Sequence, residues 1–124
     1  MTDHTAAIRR LNDLARTRPE TVNATWVMTQ GVAALLAGDD DTPAVLLAAV
    51  VRTAQLRDAL ASFAEFPEGN DPYGEHDFGA LELFGAKLFW KIDYYHPDHD
   101  SHALVPSNID LCRRVLTIML AEEY

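Results

Sequence analysis

The chain has 124 residues, 48% of them apolar, and 19 acidic against 10 basic side chains give a formal net charge of −9. This length supports one core, so residues 1–124 are interpreted as a single domain. The apolar fraction excludes wholesale disorder, and no apolar run reaches the roughly 18–20 residues that span a bilayer. The negative charge disfavours direct binding to nucleic acid, whose phosphates require clustered Lys and Arg.

The composition also indicates a compartment. The one cysteine, Cys112, leaves the chain without an internal disulfide, and the first residues lack the basic and apolar stretches of a secretion signal. We therefore expect a cytoplasmic protein that contacts no membrane and uses no cofactor. Cys112 lies in an apolar pattern, which is typical of a buried structural thiol rather than a nucleophile.

The first half of the chain predicts two helices and a strand. Helical periodicity over residues 4–17 places a polar set toward solvent. That set is Arg9, Arg10, Asn12, Asp13 and Arg16. Residues 24–29 are rich in β-branched and aromatic types and predict a strand, whereas residues 32–37 fit a continued strand or a short helical turn. Thr42 and Pro43 mark the start of a long helix that runs to about residue 64.

The second half predicts a hairpin and a final helix. Residues 77–84 and 87–95 read as two strands joined at Gly85 and Ala86, and the second of them shows a period of two that indicates one buried and one partly polar face. A helix beginning at Ser107 is indicated by a capping-box-like pair with Asp110 and by a wide apolar stripe, which requires it to be largely covered. The order predicts an α+β fold with a small antiparallel sheet, the hairpin plus one further strand, and about three helices packed on it.

The densest polar cluster is the 70–79 segment, and three interpretations of it compete. Its side chains could hold a turn by bonding to the backbone. They could form a recognition surface with Tyr73, Phe78 and Phe89 as apolar anchors. They could also form a catalytic or metal site, a small metal-dependent hydrolase or nuclease, from carboxylates and an imidazole. The residues for that third interpretation are Glu75, His76, Asp77 and Asp93.

We favour recognition of a protein partner. Between residues 58 and 86 there are seven acids and no Lys or Arg, which would attract a basic protein, including a nucleic-acid-binding one. No P-loop, dinucleotide fingerprint, nucleophile elbow or His-Glu-x-x-His pair is present, so we expect a non-enzymatic protein. The candidate binding residues are Asn70, Asp71, Tyr73, Glu75, His76, Asp77, Phe89, Lys91, Asp93 and Tyr95.

Two further hypotheses concern metal and self-association. His96, His99 and His102 recur every third position between acids, a pattern that suits zinc or nickel. The surrounding polar loop fixes no geometry, so we expect a solvated loop and no metal site. The chain is expected to be a monomer or a homodimer, and Phe89 and Trp26 are the candidate self-association residues.

Three runs, residues 70–79, 89–95 and 114–124, resemble an uncharacterised family of small bacterial proteins known only as a domain of unknown function. The resemblance covers nearly the whole chain. It implies an alphaproteobacterial origin and a frequent setting on plasmids and other mobile elements. That setting implies an accessory role, such as inhibition of a host defence protein, and it carries over no activity, cofactor or catalytic residue.

Overall fold

The computed structural model describes residues 3–97 and 104–124, and it confirms the predicted α+β class. The described residues form three α-helices: α1 (Asp3–Thr17), α2 (Gln30–Ala37) and α3 (Pro43–Ala61). The same residues form four strands: β1 (Thr25–Met28), β2 (Phe78–Leu83), β3 (Ala86–Tyr95) and β4 (Arg113–Leu120). Among the described residues, no helix has both the length and the apolar character needed to cross a membrane.

The four strands form one open, mixed sheet in the order β1-β4-β3-β2. β2 pairs with β3 and β3 pairs with β4 in antiparallel register, whereas β1 runs parallel to β4. The predicted hairpin is present. Its turn consists of Phe84 and Gly85, both at positive φ, the two-residue geometry that matches the twist of paired strands.

The predicted helix from Ser107 is wrong, because this segment forms β4 in the middle of the sheet. A short 3-10 helix, Ile109–Leu111, precedes the strand, and Asn108 rather than Ser107 caps it by accepting from the Asp110 amide at 2.9 Å. The helix-covered side of β4 carries Leu116 and Ile118, and its other side carries Val115 and Met119. Because apolar side chains occur on both sides, the segment reads as a nearly continuous apolar run that periodicity alone does not separate from a buried helix. The expectation that the segment is largely covered is correct.

Capping hydrogen bonds mark the first turns of two further helices, α2 and α3. Residues 32–37, which fitted either element, belong to α2, and the Thr29 hydroxyl accepts from the Val32 amide at its start. The long predicted helix is confirmed as α3. Thr42 caps it as expected by accepting from the Val45 amide, which satisfies one of the orphan donors of the first turn.

All three helices pack on one face of the sheet. The buried core joins side chains of α1, α2 and α3 to alternate residues of β3 and β4; the strand members are Leu88, Trp90, Ile92, Leu116 and Ile118. Trp90 is fully buried and lies against Gly79 on the neighbouring strand. A side chain at Gly79 would collide with the Trp90 ring, so glycine is required there by close approach.

The prediction that the polar set of α1 faces solvent is wrong for two residues. Asn12 is fully buried and Arg16 is only 5% exposed. The Arg16 guanidinium donates to the Leu60 carbonyl at 2.7 Å and pairs with Asp13 at 3.1 Å. It also lies over the Trp90 ring. A buried charge persists only where such partners replace water.

Asn12 joins α1 to three other parts of the chain. Its amide nitrogen donates to the Glu75 carbonyl at 3.0 Å and to the Tyr94 hydroxyl at 2.8 Å. Its amide oxygen accepts from Arg114 Nε at 2.6 Å. Arg114 is fully buried and also donates to the Pro106 carbonyl. One amide therefore holds the 70–79 segment, β3 and β4 against α1.

We predict that Asn12→Ala destabilises the fold by about 3 kcal/mol, because it removes the acceptor of the buried Arg114 Nε and leaves that donor unpaired. The free energy of unfolding measured in urea checks this. The matched control is Gln55→Ala, which removes an exposed amide from α3 and should change that free energy by less than about 0.5 kcal/mol. Equal effects of the two changes would contradict the role given to Asn12.

Candidate functional site

The second face of the sheet is the candidate site, and we call it the open face. Among residues 3–97 and 104–124, no α-helix packs on it, since the helices share the opposite face. Strand alternation and register place the following side chains on the open face: Val27, Phe78, Phe89, Lys91, Asp93, Tyr95, Val115 and Thr117. A sheet face left without a covering layer is a natural interaction surface.

Three aromatic rings form a cluster at one end of the open face. The ring centroids of Phe78 and Phe89 are 5.2 Å apart, and those of Phe89 and Tyr124 are 5.5 Å apart at 85°. The Phe89–Tyr124 pair is edge-to-face and the Phe78–Phe89 pair is tilted at 48°, and contacts between offset rings of this kind are favourable. Together with Asn70 and Lys87, the three rings line a shallow depression of about 560 Å³. The cluster offers preorganised apolar area to a partner.

The middle of the open face is polar. Lys91 Nζ and Asp93 Oδ2 are 3.1 Å apart, and both side chains are 41% exposed. Such an exposed ion pair contributes little to stability, so both groups can exchange this partner for another. Tyr95, at the end of the same row, is exposed.

Some side chains of the 70–79 segment face the fold and others face outward. The inward side chains confirm part of the structural interpretation, in which the side chains of the segment hold its turn. Asp71 accepts from the His76 amide at 3.0 Å. The His76 ring lies 3.7 Å from the Phe66 ring in a parallel stack, with Nδ1 2.8 Å from Asp13 and Nε2 3.6 Å from Asp71. These two side chains are therefore used within the fold.

Helix α1 fastens the backbone of the same segment. Arg9 Nε donates to the Gly74 carbonyl at 2.6 Å, next to the Asn12 bond to the Glu75 carbonyl. Gly74 has a φ of 69°, and a side chain there would collide with the Arg9 guanidinium. The segment is thus held in one conformation by a helix that is distant in sequence, which preorganises whatever it exposes.

The outward half of the segment carries the charge. Partial burial raises the pKa of Glu75, and repulsion from Asp77 and Asp71 adds to that effect. Partial burial also raises the pKa of Asp77, with repulsion from Asp71 and Asp93 as further causes, against the effects of its own backbone amide and His76. Asp77 lies opposite Ile92, next to the start of β2, and carboxylates that repel one another there favour the approach of a cation.

The residues of the catalytic interpretation do not converge on one site. His76 turns toward α1, whereas Asp93 lies on the open face, and both His76 nitrogens face carboxylates. In the part of the chain that the structure describes, no three His, Cys, Asp or Glu side chains are grouped to hold a metal ion. His99 and His102 lie outside the described residues, so that metal hypothesis stays a prediction.

The remaining candidate residues of the 70–79 segment lie near the surface. Tyr73 is 78% exposed at the tip of the segment, and Asn70 borders the aromatic depression.

Sequence reasoning missed Tyr124, Val115 and Thr117, because residues 107–120 were interpreted as a helix. The alternation of β-branched residues in that stretch was the available signal for a strand.

Comparison with known proteins identifies a family. Residues 28–123 match the family described as "Protein of unknown function (DUF3768)". The chain belongs to this family. The match contains α2, α3 and the strands β2, β3 and β4, and it confirms the predicted membership of a domain-of-unknown-function family. No curated protein and no solved structure matches the chain, and for this DUF3768 protein the bacterial origin and the mobile-element setting stay predictions.

We predict that the charges of Glu75 and Asp77 oppose folding at neutral pH. Because their pKa values are raised in the native state above the ordinary 4.5 and 3.8, the native state binds these protons more tightly than the unfolded state. The stability they contribute is present below the ordinary values and is lost as the pH rises through the native values.

Accordingly, Glu75→Gln should raise the free energy of unfolding at neutral pH and reduce its decline between about pH 4 and pH 7. Urea unfolding of both proteins across that range measures the difference. The control is Glu68→Gln, which removes the same charge from an exposed position in the preceding turn. A wild-type pH profile in the Glu75 variant would refute the crowding of charge at this edge.

Proposed function

We propose that this DUF3768 protein is a small, acidic, non-enzymatic binding protein whose open face engages a basic protein partner. One observation carries the proposal: within the described residues, a whole sheet face lacks a helical layer and bears a fixed aromatic cluster. The crowded carboxylates of the 70–79 segment lie next to this face, since Asp77 is repelled by Asp93 of the open face. The apolar part supplies contact area, and the acidic part selects the charge of the partner.

The distribution of side chains supports binding energetically. Tyr73, Tyr95 and Tyr124 are among the large apolar-bodied residues that remain exposed. Tyrosine is enriched at the energetic centres of protein interfaces, since it buries a large ring and keeps a polar end. A cationic side chain placed between Glu75 and Asp77 would also relieve their mutual repulsion, which favours fast and selective association.

The regulatory role is a finer part of the same proposal. The resemblance to a family found on mobile elements supports an accessory protein, and inhibition of a host defence protein is one concrete version. In that version the acidic edge competes with nucleic acid for a basic groove. A hydrolase has less support, because both nitrogens of His76 are engaged by carboxylates of the fold.

Photo-crosslinking in the native host tests the proposal. We predict that a photoreactive phenylalanine analogue in place of Tyr95 captures a basic protein, since Tyr95 is exposed on the open face. The matched control is the same analogue in place of Arg10, an exposed residue of α1 on the opposite side of the sheet. Capture from both positions alike, or of acidic proteins only, would refute the proposal.

The captured partner then allows a second test. Tyr95→Ala should weaken binding by about tenfold, and the double change Asp77→Asn with Asp93→Asn should weaken it and reduce its dependence on salt. Isothermal titration at several ionic strengths measures both effects. The control is Asp58→Asn, an exposed acid of α3. An affinity that is insensitive to ionic strength would remove the electrostatic part of the proposal.

A further inference from the structure

The outer side of α3 is apolar and exposed. Leu46 is 51% exposed, Leu47 and Val50 are each 66% exposed, and Val51 is 49% exposed. The first nine residues of this helix, residues 43–51, include no charged side chain. A helix that is apolar on all sides normally has a partner on all sides. Within the part of the chain that the structure describes, the core covers one side of α3, through Leu56 and Leu60.

The exposed side of α3 has the spacing of a helix–helix contact. A shallow groove of about 540 Å³ runs along it. It is lined by six residues, which we call the α3 seam: Leu46, Ala49, Val50, Thr53, Ala54 and Arg57. Positions 46, 50, 53 and 57 follow steps of four, three and four, the spacing that keeps a seam facing one partner helix. The small side chains of Ala49 and Thr53 permit close approach of a second backbone.

We propose that the α3 seam is the interface of a symmetric homodimer, in which two copies of α3 pack antiparallel across a two-fold axis near Val50. In a two-fold interface the same patch meets itself, so the patch must be complementary to itself in shape and charge. The seam satisfies the first condition because its centre is aliphatic and uncharged. This interface lies on the other side of the sheet from the open face and is independent of the proposed function.

The charges at the two ends of α3 satisfy the second condition. Asp39, Asp40 and Asp41 are exposed immediately before the helix, and Arg57 is exposed near its end. With Val50 on the axis, Arg57 of one copy lies opposite Pro43 of the other, because each is seven residues, about 10 Å, from the axis. The guanidinium of each copy therefore approaches the acidic triplet of the other.

A second copy is favoured over other occupants by this same complementarity. A parallel arrangement would bring the acidic triplets together, and an unrelated acidic protein would meet them without a compensating cation. The net charge of −9 opposes association of two copies in general. An apolar centre with opposite charges at its ends is an arrangement that overcomes that repulsion locally.

Trp26 and Phe89, the residues predicted for self-association, do not form one surface. Trp26 lies on the helix-covered face, where its indole donates to the Ala15 carbonyl at 2.8 Å and the Arg57 guanidinium lies over its ring. Phe89 lies on the open face. The seam therefore replaces that pair as the self-association surface that we propose.

Sedimentation equilibrium over a range of concentrations tests the dimer. The wild-type chain is expected to be a dimer that dissociates on dilution. Val50→Glu places two like charges on the axis and should raise the dissociation constant at least about 100-fold. The control Gln55→Glu adds the same charge to an exposed position of α3 away from the seam and should leave the dimer intact. A wild-type monomer at the highest concentration, or a Val50→Glu dimer of unchanged strength, overturns the proposal.

Disulfide trapping keeps the test decisive if Val50→Glu fails to fold. Val50→Cys should form a covalent dimer on oxidation, since the two thiols meet at the axis, whereas Gln55→Cys should stay monomeric under denaturing conditions. Cys112 is buried and does not compete. Equal crosslinking of the two variants overturns the two-fold axis at Val50.

Charge reversal tests the antiparallel direction separately. Arg57→Glu should weaken the dimer by about fivefold, and Asp39→Lys with Asp41→Lys should weaken it similarly. The combination of all three changes restores opposite charges across the interface and should recover most of the lost affinity. A combined variant that is as weak as the single reversals overturns the antiparallel arrangement.

Discussion

The buried hydrogen bond between Asn12 and Arg114 is the constraint on which the rest of this structure depends. Arg114 lies in the central strand of the sheet, and its charge must be balanced by polar groups because no water reaches it. The same Asn12 amide donates to Tyr94 and to the Glu75 carbonyl. Burial in this region also raises the pKa of Tyr94 to about 12, which keeps its hydroxyl protonated. One helix residue thus positions the sheet and the segment that borders its open face.

This anchoring explains why the 70–79 segment has both a structural and a surface role. The structural interpretation holds for Asp71 and His76, which bond within the fold. The recognition interpretation stays open for Tyr73, Glu75 and Asp77, whose side chains are exposed or partly buried. The inward bonds fix the backbone, and the fixed backbone holds the outward carboxylates close enough to repel one another. The surface role of the 70–79 segment therefore depends on its structural role.

The layered architecture separates two surfaces of different character. The helices occupy one side of the sheet and leave the open face on the other, with aromatic rings, a loose ion pair and an acidic edge. The outer side of α3 is aliphatic in its middle and charged at its ends. In the dimer that we propose, both open faces would stay accessible, so one particle would present two copies of the partner-binding surface.

Local chemistry in the sequence determined the helices α1 and α3, the Thr42 cap, the hairpin and the α+β class. Caps, turns and alternation act over a few residues, so they can be read without the tertiary structure. Tertiary structure decided the rest. Residues 113–120 became a strand because two neighbouring strands satisfy its backbone, and Asn12 and Arg16 became buried because distant carbonyls replace water around them. The sequence identified the chemistry of the candidate site, whereas only packing against α1 decided which of its side chains face outward.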